Sequence, residues 1–182
     1  MTKRKDIFNN EFEVECIGCA ITNKTLIPIG GIIKETENFI LIHDPEIPIK
    51  GFLIITSKRH LKSITELSKP EALEFFSLCH EARIALSTFD DVLECSLIQE
   101  ERSGHFHFWI LPRFSWTNEL FESSLSAVRP ILKYAKENMK TSQNISEIED
   151  CVRRLKVLLA QERRTHKAFS VITHNLPLFL KG

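Results

Sequence analysis

Two histidines separated by one residue stand in the segment Gly104-His105-Phe106-His107-Phe108-Trp109-Ile110-Leu111-Pro112-Arg113. The apolar residues around them predict a strand, and strand side chains alternate between faces. His105, His107 and Trp109 therefore share one face. Phe106, Phe108 and Ile110 share the other and should enter the core. A neutral imidazole is a good nucleophile near pH 7, and a neighbouring group can fix its tautomer. Two imidazoles in phase, backed by an apolar face, point to chemistry rather than packing. A second constellation is Cys16-Ile17-Gly18-Cys19. Cysteines at that spacing serve a metal or a redox couple. The redox use expects a thioredoxin-like βαβ context, and the sequence pattern lacks one. Cys79, Cys95 and Cys151 read as small buried hydrophobes, and an odd count of five argues against a disulfide framework.

The elements that must position these groups are short apolar runs bounded by Pro, Gly and Asp, as antiparallel strands would be. They are 32–34, 39–42, 51–55, 92–98 and 106–111. Ser68 as cap, Pro70 in the first turn and Glu71 completing a capping box predict a helix running to about residue 87. Its apolar stripes are Leu73, Phe76, His80 and Ile84, and beside them Phe75, Cys79, Ala82 and Leu86. Residues 1–15 read as a loosely held leader. After Arg113 the pattern turns helical, over about 118–127, 130–139 and 145–161, with a break before Pro130. The apolar tail 174–182 should tuck against the body or a partner. Strands followed by helices predict an α+β fold. The expectation is an antiparallel sheet of about five strands with one long helix, in a domain over 1–115, and a helical C-terminal extension over 116–182.

The chain of 182 residues is 43% hydrophobic and 26% charged, which are globular values. Lys+Arg and Asp+Glu balance at 24 each, so no basic surface favours nucleic acid. No apolar run approaches the roughly 18–20 residues of a membrane span, and no apolar stretch follows the basic start. The expectation is a cytoplasmic protein without a membrane or nucleic-acid partner.

His105-Phe106-His107-Phe108-Trp109-Ile110-Leu111-Pro112-Arg113 resembles the histidine-triad signature, with Trp109 where the third histidine stands. The likeness extends over about residues 12–115. Cys16 and Cys19 sit where members carry a cysteine pair. Residues 39–44 resemble the nucleotide-binding stretch, and 51–60 resemble the strand that ends in a histidine. Bacterial proteins resembling diadenosine polyphosphate hydrolases include His-x-His-x-Trp versions with helical extensions. The resemblance implies nucleotidyl transfer, with His107 attacking an α-phosphorus to give a nucleotidyl-histidine that water hydrolyses. Ser103 would hydrogen-bond a phosphate or leaving-group oxygen, and Gln99 would take the upstream amide role. Asp44 would accept from the ribose hydroxyls, with Phe39 and Leu41 walling the base and Trp109 lying beside His107. Glu100 and Glu101 would repel a phosphate unless turned away or paired with Arg102. Arg113 would tie the strand end to a carboxylate. The resemblance also implies a structural zinc on Cys16, Cys19, His60 and His105, a closed tetrahedral set with no open position. It leaves room for a divalent cation with the polyphosphate, and implies a nucleotide as partner and pairing as a homodimer. The implied function is a nucleotide phosphohydrolase acting on a dinucleoside polyphosphate or related substrate. A nucleotidyltransferase of the same superfamily and a catalytically weak nucleotide sensor are the alternatives.

Overall fold

In the computed structural model, which describes residues 2–174, residues 2–14 are not a loose leader. They form a hairpin of β1 (Thr2–Lys5) and β2 (Glu11–Val14). Its turn is closed by Asp6, whose Oδ1 accepts from the amides of Phe8 and Asn10, both at 2.8 Å. Buried Ile7 pins it to the body, its backbone N–H donating a hydrogen bond to the Pro45 carbonyl at 3.0 Å. Ile7 stands in a polar run with scattered apolar residues (Phe8, Phe12 and Val14), and nothing local marks it as the one that is buried.

A short helix α1 (Ile17–Thr22) follows, capped by Cys16. The apolar runs then become β3 (Lys34–Glu35), β4 (Phe39–His43) and β5 (Leu53–Ser57). The long helix α2 (Lys69–Leu86) starts with the expected capping box, Ser68 accepting from the Glu71 amide and Glu71 accepting from the Ser68 amide. Such a cap contributes about 1 kcal/mol. Strands β6 (Glu94–Gln99) and β7 (His107–Arg113) complete an antiparallel five-stranded sheet in the order β3-β4-β5-β7-β6. The fold is α+β, as the sequence pattern predicts.

One face of the sheet carries Phe39, Leu41, Ile55, Phe106 and Ile110 against α2. Phe75, Leu78, Cys79 and Ala82 are the α2 residues in that core. The neighbouring stripe differs from expectation: Leu73, Phe76 and Ile84 are exposed, because the apolar residues of α2 span more arc than the sheet covers. The sheet's other face carries Ile40, Ile42 and Ile54.

The expected helix over 118–127 is instead α3 (Ser115–Leu120) followed by a 3-10 turn at Leu125–Ala127. Helix α4 (Val128–Asn138) begins two residues before Pro130. Proline is tolerated there because a first-turn residue needs no amide donor. Ile131, Leu132 and Ala135 of α4 pack on Phe52 and Leu111. Helix α5 (Ser142–His174) runs past the expected end, and Ile148, Val152, Leu155 and Leu159 join the α2 core. The apolar tail beyond His174 lies outside the described residues. Among the described residues no helix is long and apolar enough to cross a membrane.

Candidate active site and metal centre

A cleft of about 500 Å³ opens on the sheet face opposite α2, between α1, the turn after β4, the start of β7 and α4. Strand alternation places its central residue. Phe106 and Ile110 are fully buried on the α2 side, while His107 and Trp109 line the cleft. Gly104, at φ +73°, makes the turn into the strand in a conformation that favours glycine.

His107 Nδ1 donates to the His105 carbonyl at 3.1 Å, and the Ser103 hydroxyl lies 2.9 Å from the same nitrogen. Ser103 Oγ also donates to the His105 carbonyl at 2.8 Å. The imidazole is thereby oriented with Nε2 unprotonated, and among the described residues Nε2 has no partner. Burial lowers the pKa of His107, a trend the His105 carbonyl opposes, so the ring is neutral at pH 7. Such an arrangement leaves the Nε2 lone pair available for nucleophilic attack.

At the other end of the cleft, Asp44 follows β4 in a turn before Pro45. Its Oδ1 accepts from the amides of Glu46 at 2.8 Å and Ile47 at 2.9 Å. Among the described residues Oδ2 has no partner, and the carboxyl lines the cleft. Burial pushes its pKa up to about 7.

Cys16, Cys19, His60 and His105 converge, their four ligand atoms all within 4.8 Å of one another. Cys16 Sγ is 3.1 Å from His105 Nδ1 and 3.7 Å from His60 Nδ1. Cys19 Sγ is 3.5 Å and 3.1 Å from the same atoms, and the two Nδ1 atoms are 3.2 Å apart. Zinc–sulfur bonds of about 2.3 Å and zinc–nitrogen bonds of about 2.0–2.1 Å give tetrahedral edges of about 3.3–3.8 Å. The four sulfur–nitrogen distances and the nitrogen–nitrogen distance match these edges to within about 0.5 Å, and the two sulfurs lie within 4.8 Å of each other. His105 Nε2 donates to the Ser57 carbonyl at 2.9 Å, which leaves Nδ1 as the ligand nitrogen. The Cys19 amide donates to Cys16 Sγ at 3.4 Å. Burial and the adjacent Cys16 raise the Cys19 thiol pKa, a cost that a cation between the sulfurs would reverse. Gly18 is dictated by this packing, since a Cβ there would lie 2.6 Å from the His105 ring. The Gly in Cys-Ile-Gly-Cys was the available signal, and sequence reasoning passed over it.

Three expected site residues lie elsewhere. Phe39 and Leu41 are fully buried against α2, on the opposite face from the cleft. Strand β4 is apolar on both faces, so alternation alone could not orient it. Gln99 pairs with Phe108 and so shares its face, also away from His107. The acidic neighbour, Glu100, lines the cleft instead. Glu100 is not paired with Arg102. It forms an ion pair with Arg129 of α4, whose guanidinium stands 5.2 Å from the Trp109 ring centroid. Glu101 turns away and accepts from Ser63 Oγ at 2.5 Å. Among the described residues Arg113 meets no carboxylate; it donates to Ser96 Oγ at 3.3 Å and the Ser124 carbonyl at 3.0 Å. Sequence reasoning missed Arg129, which only tertiary packing brings to the cleft. The Trp109 ring lies 5.4 Å from that of His107, centroid to centroid.

No protein-family model matches the chain, and neither does any curated protein. Solved structures do. A zinc-bound histidine triad family protein from Mycobacterium smegmatis aligns with a TM-score of 0.57 at 18% identity, covering 83% of this chain and 97% of that one. A Hit-like protein involved in cell-cycle regulation from Bartonella henselae, bearing an unknown ligand, gives 0.54 at 15% identity over 81% and 98%. A HIT family protein from Bacillus anthracis gives 0.51 at 23% identity over 74% and 94%. The fold is that of the histidine-triad proteins.

Proposed function

We propose that the chain is a histidine-triad nucleotidyl hydrolase with His107 as its nucleophile. The observation that carries this reading is the free Nε2 of His107, presented to the cleft while Nδ1 is tied to the His105 carbonyl. Asp44 accepts from the ribose hydroxyls. Ile17, Ile21 and Ile54 line the same cleft and replace Phe39 and Leu41 as the apolar wall for the base. The Nε2 lone pair attacks the α-phosphorus, and the bond to the bridging oxygen breaks. The leaving phosphate departs with that oxygen and its electron pair. Water then attacks the phosphoramidate, returning neutral His107 and releasing a nucleoside monophosphate. Splitting one displacement into two easier ones is the gain from covalent catalysis. Ser103 holds the ring, and its hydroxyl reaches the leaving group only by turning from the His105 carbonyl to which it donates.

Cys16, Cys19, His60 and His105 fit a zinc ion. With all four positions taken by protein, the metal would fasten α1 to the loop after β5 and hold the carbonyl that orients His107. Zinc in the Mycobacterium smegmatis structure supports this assignment. A second reading, a nucleotide-binding sensor, is favoured by Trp109, which has no titratable ring nitrogen to protonate a leaving group. Incubation with diadenosine tetraphosphate separates the two. Release of AMP supports the hydrolase, and binding without product supports the sensor.

A further inference from the structure

Arg129 comes from α4, outside the stretch that resembles the histidine triad, yet lines the same cleft as His107. Its guanidinium stands over the Trp109 ring at 5.2 Å and is paired with Glu100. Glu100 also lines the cleft, so an anion entering beside His107 meets a carboxylate and a guanidinium already bound to each other. Arg102 lines the cleft next to Ser103, and among the described residues it has no acidic partner.

We propose that Arg129 is a polyphosphate-binding residue for which Glu100 is a place-holder, so that the site selects nucleotides whose leaving group carries further phosphates. The inference rests on the nucleotide reading above and names the substrate class within it. A guanidinium fork fits carboxylate and phosphate alike. A phosphate chain carries more charge than one carboxylate and can displace it. The Glu100 side chain is 35% exposed, so it has solvent to turn into once released. Trp109 is the platform of the exchange. The aromatic face holds the cation in place while its anionic partner changes. An imidazole at this position would be a smaller platform, and a positive one when protonated. The tryptophan in place of a third histidine thus gains a purpose tied to the helices that follow it. Arg102, uncommitted and on the same cleft, supplies a second cation for the chain of phosphates.

The test measures binding of two probes by calorimetry: AMP, and α,β-methylene ATP, which cannot be cleaved between its first two phosphates. Arg129→Ala should weaken α,β-methylene ATP by tenfold or more, on the order expected for a charge-assisted contact. AMP should change by less than about threefold, being spared that contact. Arg129→Lys, which keeps the charge and loses the fork, should recover only part of the loss. Glu100→Gln should tighten α,β-methylene ATP more than AMP. Equal losses for both probes in Arg129→Ala, or no loss for either, would overturn the proposal. If Arg129→Ala unfolds at the assay temperature, Glu100→Gln decides, and equal effects on the two probes refute it. If the wild type binds neither probe, the nucleotide reading itself fails. If it binds both and Arg129→Ala leaves their ratio unchanged, only the selection by Arg129 fails.

Discussion

Replacing Asp44 with Asn removes a carboxyl whose pKa burial lifts from 3.8 to about 7. The Asn oxygen can still accept from the Glu46 and Ile47 amides, so the turn keeps its hydrogen bonds. Well below pH 3.8 the carboxyl is protonated in both folded and unfolded chains, and wild type bears no penalty. As the pH rises towards 7 the unfolded chain releases its proton first, and the fold loses stability until the buried group also ionises. At about 1.4 kcal/mol per pH unit of difference, the full cost approaches about 4 kcal/mol. Roughly 2–3 kcal/mol of it develops between pH 5 and pH 8. Asp44→Asn escapes this term, so its stability advantage over wild type should widen by that amount across the interval. Urea unfolding of both proteins at several pH values measures it. With a slope of about 1–3 kcal/mol per molar, the gap between midpoints should grow by about 1–2 M. A gap that stays constant from pH 5 to pH 8 would refute the reasoning, as would a wild type that gains on the variant at high pH. A carboxyl retained at such a cost is expected to have a task. The same variant should therefore bind AMP about tenfold or more weakly, as loss of charge-assisted acceptance from two hydroxyls requires.

Protein purified without chelator should contain one zinc per chain. The double change Cys16→Ser with Cys19→Ser should remove it and lower Tm by more than about 5 °C; unchanged Tm and metal content well below one would count against the site. Gly18→Ala should weaken zinc retention in a chelator competition, because its Cβ would press on the His105 ring at 2.6 Å. Unaltered retention would show that the ring can move aside. Trp109→Phe should keep the fold and hold turnover within about tenfold of wild type, since it forfeits one indole donor but keeps an aromatic platform. Abolished activity with an intact fold would make the indole N–H essential.

The parts of this molecule that the sequence made legible are those where local chemistry and tertiary packing agree. Ser68 and Glu71 cap α2 wherever the helix packs. Alternation at 105–110 set Phe106 and Ile110 into the core and His107 and Trp109 outside it, because only one face of that segment is apolar. Strand β4 gave no such guide, since Phe39 to His43 is buried on both faces and parity carries no label there. The error at Gln99 was one residue of register, which reverses the face of every side chain it touches. The stripe of Leu73, Phe76 and Ile84 looked like core because amphipathicity reports an apolar arc, not what covers it. Arg4 and Arg129 reach the cleft from segments far apart in the chain, and no local pattern could have placed them there.

The central claim is that His107 forms a covalent bond to the nucleotidyl group. Rapid acid-free quench of wild type mixed with labelled diadenosine tetraphosphate, followed by denaturing gel separation, tests it directly. Label should appear on the wild-type chain within the first turnover, should be released by mild acid as expected of a phosphoramidate, and should be absent from His107→Ala. His107→Ala should retain its zinc and its ability to bind AMP while losing turnover by several orders of magnitude, well beyond the roughly 10²–10³ of a lost hydrogen-bond donor. Substantial turnover by His107→Ala, or turnover by wild type with no label ever on the chain, would contradict the account.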